Sequence, residues 1–93
     1  MTTVANERCP EQQPEITETQ VEDDIVLFDP RVDAAHILNP TAALVWWLCD
    51  GTRKPTEIVE EVGRLIDNPP DSLDDDVRQT IKEFAGLNLV FWK

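Results

Sequence analysis

The stretch AAHILNPTAALVWWLCDG, residues 34–51, decides the fold because a strand pattern gives way to a helix pattern inside it. Ala34–Leu38 is predicted to be a returning strand, since turn residues that include Pro30 precede it. Asn39 is a favoured helix N-cap, and a proline in the first helical position loses no hydrogen bond that the helix would have made. We therefore predict that a helix begins at Pro40, directly after the strand.

That helix is predicted to be enclosed on most of its sides. Ala42–Cys49 is an unbroken apolar run, and Gly51 can adopt the left-handed conformation that stops a helix. Adjacent helical residues point about 100° apart, so Trp46 and Trp47 cannot face one neighbour in the same way. We expect one tryptophan to fill the core and the other to lie near the sheet.

Upstream, the sequence predicts two further strands. The run Ile25–Phe28 is short and apolar, with turn residues on both sides of it. Residues 16–21 contain β-branched side chains in alternation, which favours a strand with only a weakly apolar face. With the strand at 34–38, these segments predict a small antiparallel meander.

Downstream, the sequence predicts two amphipathic helices. The first begins at Pro55 and repeats apolar side chains at helical spacing until Asn68-Pro69-Pro70 ends it. The second follows Ser72, which together with Asp75 resembles a capping box. Its buried stripe is predicted to be Leu73, Val77, Ile81 and Phe84.

Gly86 is expected to stop the last helix, and residues 87–92 are predicted to be extended. This order of elements is α+β and winged-helix-like, with a short three-stranded antiparallel sheet followed by three helices. Ninety-three residues leave room for one small domain. Residues 1–15 hold few apolar side chains, so we predict a flexible acidic tail, dispensable for folding, ahead of a domain over residues 16–93.

The charge balance restricts the classes of partner. Nineteen acidic and eight basic residues give a net charge of −11, which argues against nucleic acids and anionic membranes. The alternative to a protein-binding module is a winged-helix transcriptional regulator, although its recognition helix would be the acidic segment Asp74–Glu83. No apolar run approaches a membrane span and no signal-peptide pattern opens the chain, so we expect a cytoplasmic location.

The sequence contains no pattern that predicts catalysis, a metal site or a cofactor. His36, the only histidine, is either a peptide-contacting side chain or a partly exposed strand residue. Cys9 and Cys49 lack metal-site spacing, and the aspartates at 74–76 suit the positive end of a helix dipole. A third hypothesis, a small enzyme, has no base and nucleophile to support it. We therefore expect the isolated protein to be catalytically silent.

Four segments are similar to a known family pattern: His36–Ala42 (HILNPTA), Leu48–Thr52 (LCDGT), Ile58 and Gly86-Leu87. Together they resemble the PqqD family, over roughly residues 16–90. The resemblance implies a winged-helix protein that recognises the leader segment of a ribosomally made precursor peptide. It also implies a partner, the modifying enzyme to which the peptide is presented, often of the radical SAM class. In PqqD itself the peptide is the precursor of pyrroloquinoline quinone.

The resemblance further implies a site, because the family binds its peptide along the third strand and against the third helix. Carried onto this chain, the strand residues are Ala34, Ala35, His36, Ile37 and Leu38, and the helix residues are Asp74, Asp75, Arg78 and Lys82. The strand is expected to be a sheet edge, since the chain leaves it directly for a helix, and a peptide can pair with such an edge. Arg78 and Lys82 are expected to face acidic residues of the peptide.

Overall fold

The computed structural model describes residues 8–93. The elements in chain order are β1 (Pro10–Gln12), β2 (Thr17–Val21), β3 (Asp24–Asp29), β4 (Ala34–Leu38), α1 (Pro40–Leu48), α2 (Pro55–Leu65), α3 (Leu73–Gly86) and β5 (Val90–Trp92). Strands β2, β3 and β4 form an antiparallel sheet in that order, and the three helices follow. The predicted α+β, winged-helix-like architecture is confirmed.

The sheet has one face covered by helices and one face open. Ile25 and Leu27 on β3 are buried, and they pair with Leu38 and His36 of β4. Side chains alternate across a strand, so the residues between them point away from the helices. The β2–β3 turn is tight, and Glu22 takes the left-handed conformation there with φ of 57°.

The core lies between this sheet and the helices. Trp46 is 1% exposed and meets Phe84 of α3 edge-on, with ring centroids 5.7 Å apart. Ile58 and Val62 contribute the apolar stripe of α2, and α3 contributes the stripe that the sequence predicts. Removing this apolar surface from water supplies the main favourable term in folding.

The two adjacent tryptophans separate as predicted, one in the core and one beside the sheet. Trp47 is 46% exposed, whereas Trp46 is enclosed. Both indole N–H groups donate to the carboxylate of Glu18 on β2, at 3.0 Å from Trp46 and 2.8 Å from Trp47. Glu18 therefore joins the outer strand of the sheet to α1.

The prediction of a flexible tail over residues 1–15 is wrong for strand β1. Pro10–Gln12 pairs antiparallel with β5 in a second, two-stranded sheet. Backbone hydrogen bonds extend this contact from Gln12 N–H to the Cys49 carbonyl and from Lys93 N–H to the Cys9 carbonyl. The Gln12 side chain also donates to the Trp46 carbonyl at 2.8 Å. Residues 1–7 of the predicted tail lie outside the described residues.

The Asp50-Gly51-Thr52 turn contacts β1. Gly51 has φ of 82°, as its position after a helix predicts, and its N–H donates to the Pro10 carbonyl at 3.0 Å. A Cβ on Gly51 would overlap the carboxylate of Glu11, which lies 3.2 Å from the Lys93 ammonium. Asp50 accepts hydrogen bonds from the backbone and hydroxyl of Thr52, and the hydroxyl contact is the main reason that the pKa of Asp50 is lowered.

The ends of α3 differ in two details from the sequence prediction. The Ser72–Asp75 capping box does not form, since the Ser72 hydroxyl donates instead to the Asp76 carboxylate at 2.9 Å. Helix α3 extends through Gly86, and Asn88 takes the left-handed conformation with φ of 59°. Among residues 8–93, no helix has the length and apolar character needed to cross a membrane.

A buried carboxylate fixes the turn between β3 and β4. Asp29 is 2% exposed and accepts two hydrogen bonds from the Arg31 guanidinium, at 2.9 and 3.0 Å. Arg31 also donates to the Asn88 carbonyl at 2.6 Å, which ties this turn to the loop after α3. The hydrogen bonds from Arg31 are the main reason that the pKa of Asp29 is lowered.

Candidate functional site

Strand β4 is an edge of the three-stranded sheet, as the sequence predicts. Within residues 8–93 its pairing partner is β3, on one side. An edge strand presents backbone N–H and C=O groups that an additional strand can bind. The geometry at β4 therefore suits an extended peptide.

The side chains of β4 alternate between the two faces of the sheet. Leu38 is buried and His36 is half-buried on the core side, whereas Ile37 is 73% exposed on the open side. Ala34 and Ala35 are small, so they leave room beside the strand. A strand added here would present its own side chains alternately to the helical side and to the open side.

A groove opens where β4 ends and α1 begins. It has a volume of about 280 Å³, and its lining residues are Asn39, Thr41, Ala42, Ile66, Pro70, Leu73, Asp76 and Thr80. Asn39 accepts a hydrogen bond from the Ala42 N–H at 2.8 Å, so the N-cap that begins α1 also fixes one wall. Leu73, Asp76 and Thr80 are spaced at i, i+3 and i+7, which places them on one flank of α3. We call this flank, together with the residues lining the groove, the β4-side groove.

The opposite flank of α3 contains the predicted helix residues. Arg78 donates to the Asp74 carboxylate at 2.9 Å and to the Thr56 hydroxyl of α2 at 2.8 Å. Asp75, Arg78 and Lys82 line a second cavity, of about 710 Å³, whose apolar side chains are Pro55, Ile81 and Trp92. This cavity lies between α3, the start of α2 and β5.

The structure therefore does not bring the two predicted sets of site residues together. Ala34, Ala35, His36, Ile37 and Leu38 lie on the sheet edge, whereas Asp74, Asp75, Arg78 and Lys82 lie on the far flank of α3. On α3, Asp76 and Thr80 line the β4-side groove, whereas Asp75, Arg78 and Lys82 line the other cavity. The carried-over assignments of the strand residues and of the helix residues both remain predictions.

Two α3 residues that line the β4-side groove, Asp76 and Thr80, are not among the four predicted helix residues. Asp76 and Thr80 share the helical spacing of Leu73, and that spacing was available in the sequence. Helical periodicity predicts which residues flank the buried stripe of α3, but two flanks satisfy it equally. The packing of α3 against α2, α1 and β5 decides which flank lines which cavity, and that packing is not a local property.

The remaining reactive groups of the described chain lie apart from one another. Across residues 8–93, no three His, Cys, Asp or Glu side chains lie close enough together to hold a metal ion. Cys49 is buried beneath β1, and burial, with a smaller contribution from the Asp50 charge, raises the pKa of its thiol to about 12. This thiol is therefore in its protonated, unreactive form at neutral pH.

The fold and the site describe a small winged-helix-like domain with a free strand edge beside a helical groove. Residues 24–90 match the family described as Coenzyme PQQ synthesis protein D (PqqD), and the chain belongs to that family. A comparison with curated proteins finds no significant match.

Two solved structures share the fold. One is TbiB1 in complex with the TbiA(beta) leader peptide, which is 18% identical, has a TM-score of 0.71, and is matched over 86% of this chain and 93% of that chain. The other is lasso peptide synthetase B1 complexed with the leader peptide, which is 20% identical, has a TM-score of 0.73, and is matched over 88% of this chain and 96% of that chain. Both structures were determined with a leader peptide bound.

Proposed function

We propose that this protein binds the leader segment of a ribosomally synthesised precursor peptide and presents it, without catalysis of its own, to a modifying enzyme. The observation that carries the proposal is the free edge of β4 beside the β4-side groove, in a chain of the PqqD family. The two solved structures of the same fold that contain a leader peptide support it. A radical SAM enzyme is the modifying enzyme that we propose, on the resemblance to PqqD.

The leader peptide would bind as a fourth strand of the sheet. Its backbone would pair with β4, which gives affinity with little dependence on sequence. Alternate peptide side chains would enter the β4-side groove, where Leu73 and Ile66 offer apolar contacts and Thr80 is half-buried. Specificity would then come from the size and polarity of the peptide residues that enter the groove.

Electrostatic attraction would favour a leader with basic residues near the groove. Asp76 lies in the groove wall, and the chain as a whole carries a net charge of −11. Attraction between exposed charges is screened by salt, so we expect binding to weaken as ionic strength rises. Arg78 would contribute little to this attraction, because Asp74 already pairs with it.

The alternative, a winged-helix regulator that binds DNA, has weaker support. Binding to DNA depends on Lys and Arg that neutralise phosphates. Helix α3 carries Asp74, Asp75, Asp76 and Glu83 against Arg78 and Lys82. A salt-dependent DNA shift assay tests this alternative, and we expect no shift.

Absence of catalysis and a cytoplasmic location are both part of the proposal. His36, the only histidine, lies on β4 opposite Leu27. Turnover of a peptide by the purified protein alone, abolished by His36→Ala, would contradict the non-catalytic role.

The binding site can be tested with peptides selected from a display library of extended sequences. We expect Thr80→Arg to weaken binding of the selected peptides by at least about 10-fold, because the new side chain fills the groove. The matched control is Gln79→Arg, which adds the same side chain one residue earlier, where the residue lines the other cavity. Weakened binding in Gln79→Arg with normal binding in Thr80→Arg would contradict the proposal and favour the far flank of α3.

A further inference from the structure

The open side of the three-stranded sheet is uncharged except at one end. Strand register places its residues in two cross-strand rows, Thr17–Phe28–Ala35 and Thr19–Val26–Ile37, with Val21 at the end of β2. We call these seven residues the outer face. None of these seven is charged, although 29% of the residues in the chain are, and Asp24, which pairs with Val21, is the charged residue at the end of this side.

Several apolar side chains of the outer face are accessible. Ile37 is 73% exposed, Val21 is 50% exposed and Phe28 is 37% exposed. Single exposed apolar residues are normal on protein surfaces, whereas neighbouring ones that share one sheet face form a patch that a partner can cover. Strands β2 and β4 are the two edges of this sheet, so the patch extends from one edge to the other.

One end of the outer face has an acidic border. Glu22, Asp23 and Asp24 are consecutive, exposed, and located at the turn next to Val21. None of the three forms an ion pair within residues 8–93. A partner that covers the outer face would be favoured by Lys or Arg at this border, because opposite charges at the edge of an interface steer association.

Charge argues against a second copy of this chain as the partner, because that copy would bring another net charge of −11 to the acidic border. Three strands about 4.8 Å apart and about five residues long present roughly 240 Å², whereas a standard interface buries about 800 Å² on each partner. Any stable partner must therefore also contact residues beyond this face. A different protein, with basic residues and contacts beyond this face, fits better.

We propose that the outer face is the docking surface for the modifying enzyme, through an apolar patch on that enzyme bordered by Lys or Arg. This inference rests on the proposed function, because the peptide strand added at β4 extends the same surface. Every second peptide side chain would point to the same side as Ile37. The enzyme would contact the outer face and these peptide residues together, so it would bind the peptide-loaded protein more tightly than the free protein.

The probe for this chemistry is a helical peptide of about 14 residues, with a leucine face bordered by lysines, added to the labelled full chain at about 150 mM salt. We expect the largest backbone amide shifts at Thr19, Val26 and Ile37. The double variant Phe28→Thr/Ile37→Thr keeps residues that favour strands, and we expect it to weaken probe binding at least about 10-fold. The control Leu65→Gln/Leu87→Gln removes two exposed leucines elsewhere, and we expect a change below about 3-fold.

A selected library peptide, added first, is expected to tighten probe binding by about 3-fold or more. Shifts centred on Asp74–Asp76, equal weakening in the control, or looser probe binding on the peptide-loaded protein would overturn the inference. A dimer in sedimentation analysis that Phe28→Thr/Ile37→Thr abolishes would also overturn it, in favour of a second copy.

The two proposals fail in different ways. Thr80→Arg is expected to lose the library peptide while it keeps the probe, because Thr80 is not part of the outer face. If the wild-type protein binds the probe but selects no library peptide, the proposed function is contradicted. If it binds a library peptide but not the probe, the docking surface is contradicted.

Discussion

Substitution of Gly51 by Ala tests whether β1 is a structural part of the domain. At φ of 82°, a side chain costs about 1–2 kcal/mol. The added Cβ would also overlap the Glu11 carboxylate, which must move aside and lose its contact with the Lys93 ammonium. A lost hydrogen bond costs about 1 kcal/mol, and the sum is a decrease of about 2–3 kcal/mol in the free energy of unfolding.

Thermal unfolding followed by circular dichroism measures this effect. For a domain of this size, 2–3 kcal/mol corresponds to a decrease of about 10–20 °C in Tm. The matched control is Gly86→Ala, since a Cβ at Gly86 meets no atom within 4 Å and the residue is helical. We expect its Tm to stay the same or to rise by a few degrees, because alanine favours a helix over glycine.

A double-mutant cycle separates the two causes. In a Glu11→Ala background the overlap is absent, so Gly51→Ala is expected to cost only the backbone term of about 1–2 kcal/mol. A Tm of Gly51→Ala within about 2 °C of the wild type would refute the reasoning. Equal costs in both backgrounds would show that Glu11 does not contact this turn.

Three further predictions follow from the structure. A chain beginning at Glu15 loses the backbone hydrogen bonds that join residues 9–13 to Cys49, Gly51, Leu89 and Lys93. Its Tm is therefore expected to fall by at least about 10 °C, and an unchanged Tm would support a tail that is dispensable for folding. At pH 8, a thiol reagent is expected to label Cys9 in the folded protein and to label Cys49 only after unfolding, because Cys49 is buried and burial raises its pKa to about 12. Equal labelling rates for the two thiols in the folded protein would contradict this. Asp29→Asn is expected to lower Tm most at neutral pH, because folding lowers the pKa of Asp29 from 3.8. The stabilisation by the ionised carboxylate is present above pH 3.8 and is lost as pH falls through the folded-state pKa, so a Tm difference that does not shrink below about pH 4 would contradict this.

The strand, cap and helix at residues 34–51 could be predicted because their signals are local. Asn39 accepts from the Ala42 N–H, Pro40 begins α1, and Gly51 adopts the left-handed conformation, all as the sequence indicates. The separation of Trp46 from Trp47 followed from helical geometry alone. Each of these features depends on residues within a few positions of one another.

Strand β1 could not be predicted in this way because its partners are distant in the chain. Pro10 pairs with Trp92, and Gln12 contacts Cys49, so three polar or cyclic residues form a strand only when the rest of the domain is in place. The segment lacks the apolar alternation on which strand prediction depends. The turn Asp50-Gly51-Thr52 could be predicted from the sequence, but its hydrogen bond to β1 could not.

The candidate site could also be predicted only in part. The edge position of β4 could be inferred, since the chain leaves Leu38 directly for α1 and β3 occupies the other side. The choice of Arg78 over Thr80 on α3 could not be settled, because both residues flank the same buried stripe. The hydrogen bond from Arg78 to Thr56 shows that the flank containing Arg78 contacts α2.

Hydrogen exchange with and without a bound library peptide tests strand addition at β4 most directly. Pairing with a fourth strand protects the backbone amides of β4 that point away from β3, so exchange within Ala34–Leu38 is expected to slow at least about 10-fold. Amides of Arg78, Gln79 and Lys82, which line the other cavity, serve as the internal reference and are expected to keep their rates. Protection confined to β2, or to the α3 flank that contains Arg78, with unchanged exchange in β4, would contradict the account.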